Sequence, residues 1–161
     1  MSLQTVLLEE LKDLYSAENQ LVKSLPTLVK GTHDPELKHA FENHLEETKG
    51  HVVRLQQAFE FLGKKPVAKH CKGMEGAIAE VKQALAEDQE GALLDAGIIG
   101  AAARVEHYEI AGYTASIAMD KTLGQKEVAE LLTQTLTEEQ NAGKLVMTLA
   151  VGILKEAAKE E

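Results

Sequence analysis

The sequence predicts an all-α fold: four long helices in a bundle, with a short extra helix in the connection between its two halves. Three observations predict it. Apolar residues recur at three- and four-residue steps over long stretches, no segment alternates with the period of two that a strand requires, and a long connection separates two helical hairpins. At 161 residues and 17.5 kDa the chain suits a single domain spanning 1–161, long enough to bury a core without disulfides.

The first helix is predicted from Leu3, Leu7, Leu11, Leu14, Leu21, Val22, Leu25, Leu28 and Val29, one amphipathic stripe, with Pro26 bending it near its end. Gly31 stops it. Asp34 then offers an N-cap and Pro35 a first helical position, opening a second helix that runs to about Gly63 and pairs antiparallel with the first. Residues from Gly63 to Gly73, with Pro66, form a connection, and Met74 to Asp88 forms a short helix with apolar Ile78, Val81 and Leu85. A third long helix extends from about Ala92 to Lys121, ending near Gly124, and a fourth from Gln125 to about Ala158. So long a middle connection is needed only when the second and third long helices run parallel, the arrangement of ferritin-like bundles.

Composition excludes several function classes. The net charge of −9, from 26 acidic and 17 basic residues, and the absence of a basic cluster beside aromatic residues argue against nucleic acid or anionic lipid as a partner. No stretch approaches the roughly 20 apolar residues of a membrane span, and the amino terminus lacks the basic start and apolar run of a signal peptide. Cys71 is the only cysteine, which excludes an internal disulfide and fits a reducing, cytoplasmic setting. Alone beside His70, it reads as an ordinary cysteine rather than a chelating or redox site.

Five glutamates fall on or beside the apolar stripes. Glu18 lies at the centre of the first helix's stripe, among Leu11, Leu14, Leu21, Val22 and Leu25. On the third long helix the stripe of Ile98, Ile99, Ala102 and Val105 continues through Glu106, Glu109 and Tyr113, so an E-x-x-E pair points inward from one turn. Glu139 shares a face with Val128, Leu132, Thr135, Ala142 and Val146, whereas Glu138 lies well off it. The second helix offers a ladder of His44, Glu47 and His51 at spacings of three and four, with Glu47 at the stripe's edge and Glu46 pointing away.

No lysine or arginine shares these stripes. Ionised carboxylates in an apolar interior become neutral, find a partner or coordinate a metal. Glu18 and Glu47 are 29 residues apart across the first hairpin, and Glu109 and Glu139 are 30 apart across the second, so both hairpins bring their acids to one level. Oxygen-rich ligands with one or two imidazoles, drawn from four helices, suit two iron or manganese ions better than zinc. The candidate ligands are Glu18, His44, Glu47, His51, Glu106, Glu109 and Glu139. Tyr15 and Tyr113 stand one turn from Glu18 and Glu109, placed to pack or to hydrogen-bond a ligand carboxylate. His107 is predicted on an exposed helix face, without the flanking pattern of a phosphotransfer histidine.

The strings Asp13-Leu14-Tyr15-Ser16-Ala17-Glu18-Asn19-Gln20-Leu21, His44-Leu45-Glu46-Glu47-Thr48, Val105-Glu106-His107-Tyr108-Glu109-Ile110-Ala111 and Leu136-Thr137-Glu138-Glu139 resemble the bacterial ferritin-like family typified by YciF. The resemblance spans nearly the whole chain, including Cys71-Lys72-Gly73-Met74-Glu75-Gly76 at the entry to the short helix. It implies a ferritin-like four-helix bundle, a homodimer and an association with bacterial stress responses. Glu18, Glu106, Glu109 and Glu139 match the acidic positions of the wider rubrerythrin and ferritin group. Two departures stand out: Lys49 replaces the histidine of an E-x-x-H on the second helix, and Ala142 and Gly143 stand where the fourth helix would offer one. His44 with Glu47, or His51, would have to substitute.

Two functions from different classes follow. One is a di-iron or di-manganese carboxylate protein that oxidises Fe(II) or reduces peroxide, drawing on an external electron donor because the chain has no C-x-x-C pair. The other is a non-enzymatic helical-bundle stress protein that works through protein partners and carries a degenerate metal site.

Overall fold

The computed structural model describes residues 1–160. Among them lie five helices and no strand: α1 (Leu3–Gly31), α2 (Pro35–Phe61), α3 (Lys72–Ala86), α4 (Gly91–Leu123) and α5 (Lys126–Ala157). The chain is therefore all-α, as its periodicity predicts. α1 begins at Ser2, whose hydroxyl accepts the Thr5 N–H, and it continues through Pro26 to Gly31. Asp34 caps α2 by accepting the Leu37 N–H at 2.9 Å, with Pro35 just inside. Gly124, at φ 73°, closes α4 in the left-handed region that glycine enters without steric cost.

Two apolar clusters fix the directions of the long helices. One contains Leu7, Leu11 and Leu14 from the start of α1, Leu55 and Phe59 from the end of α2, Ile117 from the end of α4 and Val128 and Leu132 from the start of α5. The other gathers the opposite ends, with Leu25, Leu37, Phe41, Ile98 and Ile153 among its members. Thus α2 and α4 run parallel, and each is antiparallel to α1 and α5. α1 packs on α2 and α4, α5 packs on the same two helices, and α3 lies against α1 and α4. This is the parallel pairing that demands a long crossover, and α3 lies within that crossover.

The entry to α3 is pinned by side chains. Cys71, fully buried, caps α3 by accepting the Met74 N–H; its own N–H donates to Ser16 Oγ at 3.0 Å, and its sulfur lies 3.1 Å from the Tyr108 hydroxyl. Burial, with Asp13 nearby, pushes the Cys71 thiol up against the opposing Tyr108 contact, so it stays protonated. Gly73 is required by packing, because a Cβ there would stand 2.4 Å from the Tyr108 ring. At the α1–α2 turn, buried Asp95 of α4 accepts the His33 and Asp34 N–H groups at 2.8 and 2.6 Å. Its carboxylate thereby ties the first hairpin to the second.

Candidate metal centre

Between the two apolar clusters lies a layer of polar side chains, one contribution from each long helix. α1 supplies Glu18, α2 supplies His44 and His51 two turns apart, α4 supplies Glu106 and Glu109 on one turn, and α5 supplies Glu139. All six are buried: Glu18, His51, Glu109 and Glu139 are 0% exposed, Glu106 3% and His44 4%. Of the acids whose matched spacings predict one level, Glu18, Glu109 and Glu139 lie in the layer, whereas Glu47 stands at its rim.

The layer resolves into two groups. Glu18, His51 and Glu139 offer ligand atoms that all lie within 4.8 Å of one another, and His44, Glu106 and Glu139 do the same. Glu139 belongs to both. Its Oε1 is 3.0 Å from His51 Nδ1 and its Oε2 is 3.8 Å from His44 Nε2. Glu18 Oε1 lies 3.3 Å from His51 Nδ1, and Glu106 Oε1 lies 3.2 Å from His44 Nε2. The two imidazole rings are 6.2 Å apart. Tyr113 donates its hydroxyl to Glu18 Oε1 at 2.5 Å, the carboxylate contact its position on α4 suggests.

The inward atoms lack protein hydrogen-bond partners. Glu18 Oε2, His44 Nε2, His51 Nδ1, Glu106 Oε2 and both oxygens of Glu109 and of Glu139 are buried and unsatisfied. A buried polar atom without a partner costs roughly 1–3 kcal/mol, more if charged, so such a concentration points to an absent common partner. Carboxylates and imidazoles are metal-ligating groups, and each of the two clusters could hold a metal ion.

Electrostatics describe what the same groups do without a metal. Burial pushes the Glu109 carboxyl well above its usual range, and repulsion from Glu18 and Glu139 adds to it. Glu139 is raised by burial and by Glu106, against the opposing contact with His51. Burial disfavours the charged imidazoles, yet Glu106, Glu47 and Glu139 outweigh it and raise His44, while Glu139 and Glu18 push His51 up to about 10. Glu106 alone is held below the usual range, burial being outweighed by His44 beside it. The metal-free centre is therefore crowded with protons that a cation would displace.

Outside this layer, each imidazole meets a further carboxylate. His44 Nδ1 lies 3.4 Å from Glu47, which is 42% exposed and belongs to neither group. Glu47, a predicted ligand, thus supports His44 from the rim. Glu138, placed by its helical phase on the outer face, instead accepts the His51 Nε2–H at 2.9 Å and is gripped by Arg54 at 2.8 Å. Glu138 thus lies off the inward face, as its phase predicts, yet its contact with the outer nitrogen of His51 is not foreseen by that phase. Phase describes direction from the α5 axis, whereas the half-buried Glu138 side chain reaches along the α2–α5 seam. A carboxylate on the far nitrogen fixes the tautomer and orientation of a ligating histidine. Glu46 pairs with Lys49 at the surface, and His107 is exposed, both as expected.

Residues 2–159 match the family described as Domain of unknown function (DUF892). Protein YciF of Escherichia coli (strain K12) is 34% identical over 161 residues, 99% of this chain and 97% of that protein. The crystal structure of the E. coli stress protein YciF superposes with a TM-score of 0.93 at 35% identity, covering 96% of this chain and 98% of that one. YcfI, a putative structural protein from Rhodopseudomonas palustris, gives a TM-score of 0.90 at 36% identity over 92% and 94% of the two chains. A protein from Xanthomonas campestris shares the fold, with a TM-score of 0.73 at 23% identity over 98% and 99%.

Proposed function

The chain belongs to the DUF892 family, and from that footing we propose that it is a two-metal carboxylate protein of the bacterial stress response. The observation that carries this reading is the pair of buried histidine–carboxylate groups sharing Glu139, whose inward atoms face one another without forming hydrogen bonds. Glu18, His51 and Glu139 would hold one iron or manganese ion, and His44, Glu106 and Glu139 the other, with Glu109, outside both groups but close enough to feel the charge of Glu18 and Glu139, as a further donor. When bound, two such ions supply redox equivalents and Lewis acidity, suited to Fe(II) oxidation or peroxide reduction.

The chain's own residues would serve that chemistry in distinct ways. Tyr113 donates a hydrogen bond to Glu18 and fixes its carboxylate. Glu138, with Arg54 behind it, keeps the His51 Nδ1 lone pair turned inward. The apolar clusters above and below keep bulk water from the layer. Electrons would come from an external donor, because Cys71 is the only cysteine and is buried and protonated.

Thermal melting with and without Mn(II) tests the reading. Saturation at 100 times the dissociation constant stabilises the fold by about 2.7 kcal/mol, and the midpoint rises accordingly. An unchanged midpoint would favour the second reading, a non-enzymatic bundle acting through protein partners. That reading is supported by the metal-free centre itself, where Glu109 and Glu139 favour the neutral form and the charge of His44 is offset by the Glu106 carboxylate 3.2 Å away. A homodimer belongs to either reading, and the exposed Met147, Val151 and Leu154 on one face of α5 support it. Among the described residues no helix is long and apolar enough to cross a membrane.

A further inference from the structure

The two halves of the centre differ in their access to solvent. A cavity of about 160 Å³ opens between α2 and α5, and buried His44 and Glu106 line its inner end. Exposed Asn43 and Asn141 and half-buried Glu47 line its outer end, with Ala142 and Leu145 on its wall. His51 and Glu18 are fully buried and form no part of it. The supports differ in the same sense. Glu138 is clamped by Arg54 behind His51, whereas Glu47 behind His44 is 42% exposed and touches the ring at 3.4 Å.

We propose that this cavity is a port through which a hydrated divalent cation reaches and leaves the His44–Glu106 half, while the His51–Glu18 half is closed. One ion of the pair exchanges and the other is resident. The inference rests on the two-metal reading. The outer end suits a hydrated cation, because two amide oxygens and a carboxylate are hard donors and the chain's net charge is −9. At the inner end the His44 Nε2 and Glu106 Oε2 atoms are buried, without a hydrogen bond, and within reach of an arriving ion. Ala142 keeps the port open: it stands one turn beyond Glu138 on the cavity wall, where a longer side chain would fill the space.

The test is metal release from the intact chain loaded with two Co(II), followed by the Co(II) absorbance after excess EDTA is added. The port predicts two phases, each releasing one Co(II) per chain, their rates separated by about tenfold or more. Ala142→Leu should slow the fast phase by a similar factor and leave the slow phase and the stoichiometry unchanged. Leu145→Ala, at an exposed wall residue, should quicken the fast phase and serves if the first variant folds poorly. Release of both ions in one phase, or a fast phase indifferent to either substitution, would overturn the port while leaving the two-metal reading intact. A chain that retains no Co(II) would overturn both.

Discussion

Glu138 accepts a hydrogen bond from His51 Nε2 at 2.9 Å, on the side of the imidazole turned away from Glu18 and Glu139. Adjacent glutamates on α5 therefore hold opposite nitrogens of one ring. Glu138→Ala removes the outer one and frees the imidazole to rotate or change tautomer. Metal affinity should fall about 10- to 100-fold, the range for losing such an outer carboxylate, and Arg54→Ala should give a smaller loss in the same direction. Competition titration against a chelator measures both; unchanged affinity in Glu138→Ala would contradict the assigned role.

Glu109 separates stability from metal binding. Burial and its acidic neighbours keep its carboxyl neutral in the metal-free chain, so the neutral isostere in Glu109→Gln should hold or raise the metal-free melting midpoint. The same change removes an ionisable oxygen donor from the layer. Affinity should drop by more than about 100-fold, beyond the range of outer partners. A variant that still gains the full midpoint shift with Mn(II) would show that Glu109 holds no metal.

The centre also sets a pH dependence. His51 carries its proton up to about 10 in the folded state, against 6.5 unfolded, so its contribution is fully present below 6.5 and lost as pH rises through about 10. Glu109 and Glu139, raised from 4.5, act in the same sense, while Glu106, held low, contributes above 4.5 and is lost on acidification. The metal-free midpoint should fall between pH 6.5 and 10. A bound metal needs these groups deprotonated, so its stabilising effect should grow over the same interval. Calorimetry across that range checks both slopes, and parallel curves with and without metal would contradict them.

Asp120 provides a test away from the metal layer. It is 0% exposed on α4, both carboxylate oxygens lack partners, and burial pushes it up to about 7. Its preference for the neutral form stabilises the fold fully below 3.8 and is lost as pH rises through about 7. Asp120→Asn should raise the midpoint by a few degrees at pH 8 and by less at pH 5, without altering metal stoichiometry. Equal effects at the two pH values would argue against a buried, titrating carboxyl.

Much of this was legible in the sequence. Helices α1, α2, α3 and α5 follow from a 3.6-residue period, and Asp34–Pro35 and Gly124 mark boundaries through ordinary capping chemistry. Glu18, Glu106, Glu109 and Glu139 could be found because helical phase places them at the centre of apolar stripes. Phase fails at stripe edges. Glu47 falls at the rim, and the reach of Glu138 to His51 depends on how α5 packs against α2, which no single-helix pattern encodes. The start of α3 lies two residues before Met74 because a cysteine, an uncommon cap, accepts the first-turn N–H. Asp95 carries no local signal of its role, since the N–H groups it satisfies belong to a turn some 60 residues earlier.

The most direct test of the central claim is metal content after anaerobic Fe(II) loading and desalting, followed by the optical spectrum on exposure to O₂ or peroxide. The account predicts about two irons per chain, one for each group that shares Glu139, and a new absorbance on oxidation. A desalted chain that retains no iron would contradict it.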